Sequence, residues 1–357
     1  MSSIDIFAGK SAMQHLQNNG LQPQDISTVF AASGAAKWLA IYGLDKTIFT
    51  DWLPRGNHPV KMFGTSVGAF KLAAACHNDA AAGLTGLAQA YIHQHYDKGI
   101  DADEIDREFK RIVDSVVTDG HVEQILNHPN YHFSCGAVRC HGGLRNDGET
   151  AQKIACAIAA FKNILGRSGL KNSFDRVVFH DPRVDFPIVG RDGYNTESVE
   201  LTPENFLPAL KASGSIPVYM HSVKDIAGAG AGVYRDGGML DYHPLPSNLW
   251  NEDGLVLYPH FYPHCKEGWF DKFMPWRHAS AEQLDNVLMI SPSQEFLANT
   301  ELGRIPDRED FLTYAGKDAE RIRLWQEVTD KSLQMGEDFL AWVESGDLMA
   351  KVKPFPV

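Results

Sequence analysis

Gly64-Thr65-Ser66-Val67-Gly68 sets a hydroxyl between two glycines. In a G-x-S-x-G pattern the small flanking residues permit a sharp strand-to-helix turn that exposes the serine, and the chemistry such a turn serves is nucleophilic attack. An activated hydroxyl also needs a group to take its proton and donors to hold the negative charge that follows. Arg235-Asp236-Gly237-Gly238 offers the first, because glycines directly after an aspartate let the chain turn tightly and project a carboxylate. Ser33-Gly34-Ala35-Ala36-Lys37 offers the second, since small residues opening a helix present unpaired backbone N–H groups at Gly34, Ala35 and Ala36. Each has a plainer reading: a connecting turn, a reverse turn, and a helix start packed against a sheet.

The flanking residues supply the elements that would position these groups. Residues 29–32 are an apolar run ahead of the small-residue turn, and residues 37–42 continue it as a helix. Residues 60–63 form a second apolar run before the serine, and residues 69–76 are rich in alanine, a strong helix former. Two strand-turn-helix units in succession predict a parallel sheet. Ser66 would then stand at a helix N-terminus, where backbone donors and the helix dipole favour negative charge.

Alternation continues downstream. Helices are predicted over 104–117, 151–165 and 203–211, the last with Pro203 in its first turn, and strands over 131–140 and 176–180. Residues 255–263 and 269–276 are crowded with aromatics and prolines, followed by a loop around 291–293. This stretch reads mainly as packing for the C-terminal helices, and alternatively as an acyl-contacting wall or lid. Between 308 and 343 apolar residues recur at three- and four-residue steps, as an amphipathic helix requires, with Gly316 as an interruption.

Composition narrows the function classes. The 357 residues carry 33 Lys and Arg against 45 Asp and Glu, a net charge of -12 that disfavours nucleic-acid phosphates. Five cysteines, odd in number and widely spaced, do not make a disulfide framework and fit a reducing compartment. Neither a secretory leader nor a stretch of roughly 18 apolar residues is evident, so the expectation is a cytoplasmic protein with at most transient contact with a membrane surface. His132, Cys135, Cys140 and His141 match no standard zinc spacing, and His260, His264 and Cys265 sit in a setting that suggests packing. No metal or organic cofactor is expected. Asp241, near Asp236, is expected in solvent.

Taken together, the motifs resemble those of the patatin-like phospholipases, serine lipid acyl hydrolases. That family carries in order a Gly-rich turn followed by a basic residue, G-T-S-x-G-A, A-S-x-S-x-P, and D-G-G or D-G-A. This chain has Ser33-Gly34-Ala35-Ala36-Lys37, Gly64-Thr65-Ser66-Val67-Gly68-Ala69, Ala212-Ser213-Gly214-Ser215-Ile216-Pro217 and Asp236-Gly237-Gly238, in that order, between residues 28 and 244. The resemblance implies Ser66 as nucleophile, Asp236 as its only side-chain base, and N–H groups of Gly34, Ala35 and Ala36 as the oxyanion hole, with Lys37 as the basic residue of the turn. The chain departs from the family where Ser33, Ala35 and Trp38 replace glycines of the turn.

The expected fold is therefore α/β: a three-layer sandwich with a mainly parallel central sheet, patatin-like over residues 1–275, plus a helical C-terminal extension over 276–357. The expected activity is hydrolysis of lipid or phospholipid acyl esters through a Ser-Asp dyad and an acyl-enzyme. Alternatives are a transacylase with the same dyad, a Ser-His-Asp esterase drawing on His243, His260 or His264, and a non-catalytic lipid-binding relative.

Overall fold

A computed structural model describes residues 2–96, 101–118, 120–184, 190–249 and 254–355. The strands, in chain order, are β1 (Ile4–Ala8), β2 (Ile26–Ala31), β3 (Val60–Gly64), β4 (Tyr131–Cys140), β5 (Phe174–His180), β6 (Thr196–Glu200), β7 (Val223–Lys224), β8 (Val233–Asp236), β9 (Leu255–Pro259), β10 (Val287–Pro292) and β11 (Val352–Pro354). They form one sheet in the order β11-β1-β10-β9-β2-β3-β4-β5-β6, with β8 pairing β4 and β7. Its centre, β10-β9-β2-β3-β4, is parallel throughout. Antiparallel pairs join β1 to β10, β4 to β5 and β8, and β7 to β8.

The central strands are near-continuous apolar runs because helices cover both faces of a parallel sheet and leave no polar side. β9 and β10 are buried at every position. The Val67–Ala75 helix is buried along its whole length and packs on β2, β3 and β4. The architecture is thus α/β with a mostly parallel central sheet flanked by helices, compatible with three layers. Among the described residues no helix is long and apolar enough to cross a membrane.

Two departures from the sequence reading concern the ends of the chain. The segment after 275, expected to be a helical extension, contains the Asp318–Lys331 and Leu333–Ser345 helices, but also supplies β10 and β11 to the central sheet. β1 was not foreseen either, and it pairs with both of them, Ile4 opposite Pro292 and Ile6 opposite Val352. The amphipathic pattern after 308 does break at Gly316, which adopts φ 74 ahead of the Asp318–Lys331 helix. The 37–42 segment is a tighter 3-10 turn over Ala35–Ile41 that runs into the Tyr42–Thr47 helix, and the helix expected at 203–211 spans Phe206–Gly214.

A buried ion pair fastens the small-residue turn to the Val67–Ala75 helix. Lys71 Nζ lies 2.8 Å from Asp45 Oδ2, which also accepts a hydrogen bond from Trp38 Nε1 at 2.7 Å. Burial raises the Asp45 pKa and lowers that of Lys71, and each partner's charge opposes the other's shift. Because Trp38 follows the turn and Lys71 follows Ser66 by five residues, this contact sets the distance between the two segments.

Candidate functional site

Ser66 occupies the step from β3 into the Val67–Ala75 helix with φ 54 and ψ -129, a conformation L-residues rarely adopt. Such a value is the backbone signature of a strained strand-to-helix turn and is found where surrounding contacts over-determine it. Here the contacts are explicit. Ser66 N–H is directed at Ser213 O at 3.0 Å and Ser213 Oγ at 3.1 Å, and Ser213 Oγ donates onward to Gly136 O at 2.7 Å. The glycine two residues on is needed for close approach, since a Cβ at Gly68 would stand 2.4 Å from Ala31 O.

Asp236 ends β8, and β4 acts as the ruler that brings it to Ser66. The first half of β4 pairs with β3, placing Gly64 opposite Cys135. β5 occupies the other edge of β4, so β8 takes up the edge that β3 vacates and places Asp236 opposite Ala137. Two residues along a strand span roughly 7 Å, and Ser66 lies two residues past Gly64. The sheet thus closes a sequence gap of 170 residues.

Around the carboxylate, Asp236 Oδ1 accepts Gly238 N–H at 2.7 Å and Asp236 N–H donates to Ser215 O at 2.9 Å. A Cβ at Gly237 would fall 2.2 Å from Gly136 O, so the residue after the aspartate must be glycine. Burial pushes the Asp236 pKa up to about 6, against the hydrogen bond from Gly238, hydrogen bonding with the Ser66 hydroxyl and the charge of Arg308.

The third segment leaves β2 at Ala31. Ser33 Oγ meets Thr65 Oγ1 at 2.7 Å, Thr65 Oγ1 bonds Asp241 O at 2.7 Å, and Ser33 N–H donates to Tyr242 O at 2.8 Å. Small turn, serine elbow and aspartate turn are therefore one hydrogen-bonded unit. Ala35 adopts φ 50, a left-handed value that costs an alanine roughly 1 kcal/mol or more. Lys37 N–H donates to Gly34 O, whereas the N–H groups of Gly34, Ala35 and Ala36 have no acceptor among the described residues.

Ser66, Asp236, Gly34, Ala35 and Lys37 line a single cavity of about 300 Å3. Ala36 does not; it is buried behind the turn. Two larger, more open depressions, of about 640 and 750 Å3, lie among residues of the C-terminal helices. Lys272 and Arg308 also face the site cavity, and neither has a carboxylate within ion-pair distance among the described residues. Lys37 pairs with Asp307. Burial, then the charges of Lys272 and Arg308, push the Lys37 ammonium down to about 7. Burial and Arg308 bring Lys272 to about 8. The cavity can therefore receive an anionic group beside the serine.

Sequence reading missed Lys272, Arg308 and the bracing role of Ser213 and Ser215, whose positions become meaningful only once distant segments meet. Asp241 is a correction: it is buried, and Arg176 Nε and Nη2 donate to its two oxygens at 2.7 and 2.9 Å. A carboxylate needs such a partner to leave water. His243, His260 and His264 do not line the cavity, and burial holds His260 down at about 3. His243, His260 and Cys265 do bring potential ligand atoms within 4.8 Å of one another. However, His243 Nδ1 accepts Lys266 N–H at 2.9 Å, which leaves the proton of its neutral ring on Nε2. His132, Cys135, Cys140 and His141 form no such group among the described residues.

Comparison with family models, with curated proteins and with solved structures finds no match.

Proposed function

We propose that the protein is a serine acyl hydrolase of the patatin-like phospholipase type, with Ser66 as nucleophile and Asp236 as base. The observation that carries this reading is the meeting of a serine in a strained φ 54 turn with a buried carboxylate whose ionisation is coupled to it. Both open on the same cavity. Ser66 Oγ attacks the ester carbonyl carbon while its proton passes to Asp236. The resulting oxyanion is received by backbone N–H groups of Gly34 and Ala35 at the cavity wall. Collapse expels the alcohol, which takes the proton from Asp236 and leaves an acyl-serine. Water, deprotonated by Asp236, then attacks the acyl carbon and releases the carboxylic acid and free Ser66.

Burial suits Asp236 to this task, because a carboxylate raised to about 6 is a stronger base than an ordinary one and is still mostly ionised at neutral pH. Lys272 and Arg308 favour substrates with an anionic group near the scissile ester. A fluorophosphonate probe tests the reading directly, since it reports an activated serine without knowledge of the substrate. Wild type is expected to be labelled and to cleave short-chain nitrophenyl esters, with Ser66→Ala losing labelling and at least about 1,000-fold in turnover. Equal labelling or equal turnover in the variant would defeat the proposal.

A further inference from the structure

The Glu149–Leu165 helix turns its large apolar side chains outward. A helix on the surface of a water-soluble body turns its apolar stripe inward and its polar residues to solvent. Here the inward face holds only small or polar side chains: Ala159 is buried with Ala155, Cys156 and Ala160 packed beside it, Gln152 Oε1 accepts Val218 N–H at 2.5 Å, and Asn163 Nδ2 donates to Asp271 Oδ1 at 2.8 Å. Ile154, Ile158, Phe161, Ile164 and Leu165, spaced to share one face, are 52–77% exposed. The patch continues beyond the helix. Arg277 Nη2 donates to Ile164 O and Arg277 Nη1 to Asp271, which anchors the 269–277 segment against the helix end. Phe273 and Trp276 of that segment are 75% and 74% exposed. Scattered exposed apolar residues are ordinary, but a contiguous set of this size marks an interaction surface.

From this placement we infer that the outer face of the Glu149–Leu165 helix, with Phe273 and Trp276, docks on the surface of an anionic lipid assembly. Two observations choose that occupant over a protein. First, the patch is continuous with the cavity mouth: Lys153 and Cys156 of the same helix, with Trp269 and Lys272 of the adjoining segment, line the cavity that holds Ser66. A molecule lying in a lipid surface against this face therefore has a short path to the serine. Second, the cations at the mouth, Lys272 and Arg308, have no ion-pair partner among the described residues, and Lys162 is exposed on the helix itself. Anionic headgroups complement them, although the chain as a whole carries -12. The mode is that of an interfacial helix, apolar face in the headgroup boundary, long cationic side chains at its margin and aromatic rings at the edge.

This inference rests on the acyl hydrolase reading for its meaning, but its test does not depend on turnover. Flotation is measured with vesicles of phosphatidylcholine alone and of equimolar phosphatidylcholine and phosphatidylglycerol. Wild type and Ser66→Ala are both expected to float with the mixed vesicles, more weakly at high salt, and little with phosphatidylcholine alone. Ile158→Glu/Phe161→Glu is expected to partition roughly 10- to 100-fold more weakly. Both side chains face solvent, and the milder Ile154→Gln/Leu165→Gln double variant is made alongside, each compared with wild type by thermal melting. No vesicle binding by wild type, or unchanged binding in folded variants, overturns the inference. So does a stable wild-type dimer that the substitutions convert to monomer, because the face would then belong to a second copy. Vesicle binding with no fluorophosphonate labelling would instead retain the docking face and remove the hydrolase reading.

Discussion

Asp236 is expected to impose a single ionisation on the rate of ester cleavage. Its carboxylate must be charged to take the Ser66 proton, and burial places its pKa at about 6 rather than near the ordinary 3.8. With that value the ionised fraction rises from about one tenth at pH 5 to about nine tenths at pH 7, so kcat/KM should climb about tenfold over that interval and then level. An unperturbed aspartate would give a flat profile there. Arg308 sharpens the test. Its charge stabilises the ionised form of Asp236, so Arg308→Gln should move the inflection to higher pH. The assay is kcat/KM for a neutral nitrophenyl ester across the range, in parallel with the rate of fluorophosphonate labelling, which must show the same inflection. A temperature series separates a carboxylate from an imidazole, since carboxylic acids ionise with almost no heat and imidazolium does not. A flat profile, or an inflection that Arg308→Gln moves downward, would refute the argument. The same shift has a stability sign. The folded carboxyl holds its proton above the pH at which the unfolded one releases it, so this group's contribution weakens as pH rises from about 4 to about 6.

Three further substitutions probe the framework. Gly237→Ala puts a methyl 2.2 Å from Gly136 O and should destabilise the fold by several kcal/mol, of the order of other severe backbone clashes, as read by urea unfolding. Lys71→Met strands the Asp45 carboxylate in the core and should cost about 3–5 kcal/mol, much of it restored in Lys71→Met/Asp45→Leu; an additive double variant would contradict this. Ser213→Ala removes the hydroxyl that joins Ser66 N–H to Gly136 O, and should lower unfolding free energy by about 1–3 kcal/mol while reducing the labelling rate of Ser66, whose position it braces.

What could be seen in the sequence was local. β4 occupies the residues expected of it, 131–140, because ten residues of apolar-rich pattern sit between clear breaks. Ser66 and Asp236, which line one cavity, stand out in the sequence as candidates because the small residues around each leave a sharp local trace. Whatever depends on a partner far along the chain was not. β11 is three residues long and acquires its identity from pairing with β1 some 340 positions earlier, and β8 from filling the edge of β4 that β3 leaves. Asp241 looked like a solvated turn residue because Arg176, which pairs with it, lies 65 residues away. The Glu149–Leu165 helix shows the limit most clearly. Periodicity reveals that a helix has an apolar face, but only the packed molecule shows that this face is left uncovered.

Ser213 O holds the backbone of Ser66, and Ser215 O, two residues later, holds that of Asp236. The hydroxyl and the carboxylate thus hang from a common mount at the end of the Phe206–Gly214 helix. Thermal jostling of that mount carries both in the same direction, so their spacing should vary less than the position of either. Distortions elsewhere in the sheet would then change where the pair points before they change whether its members meet.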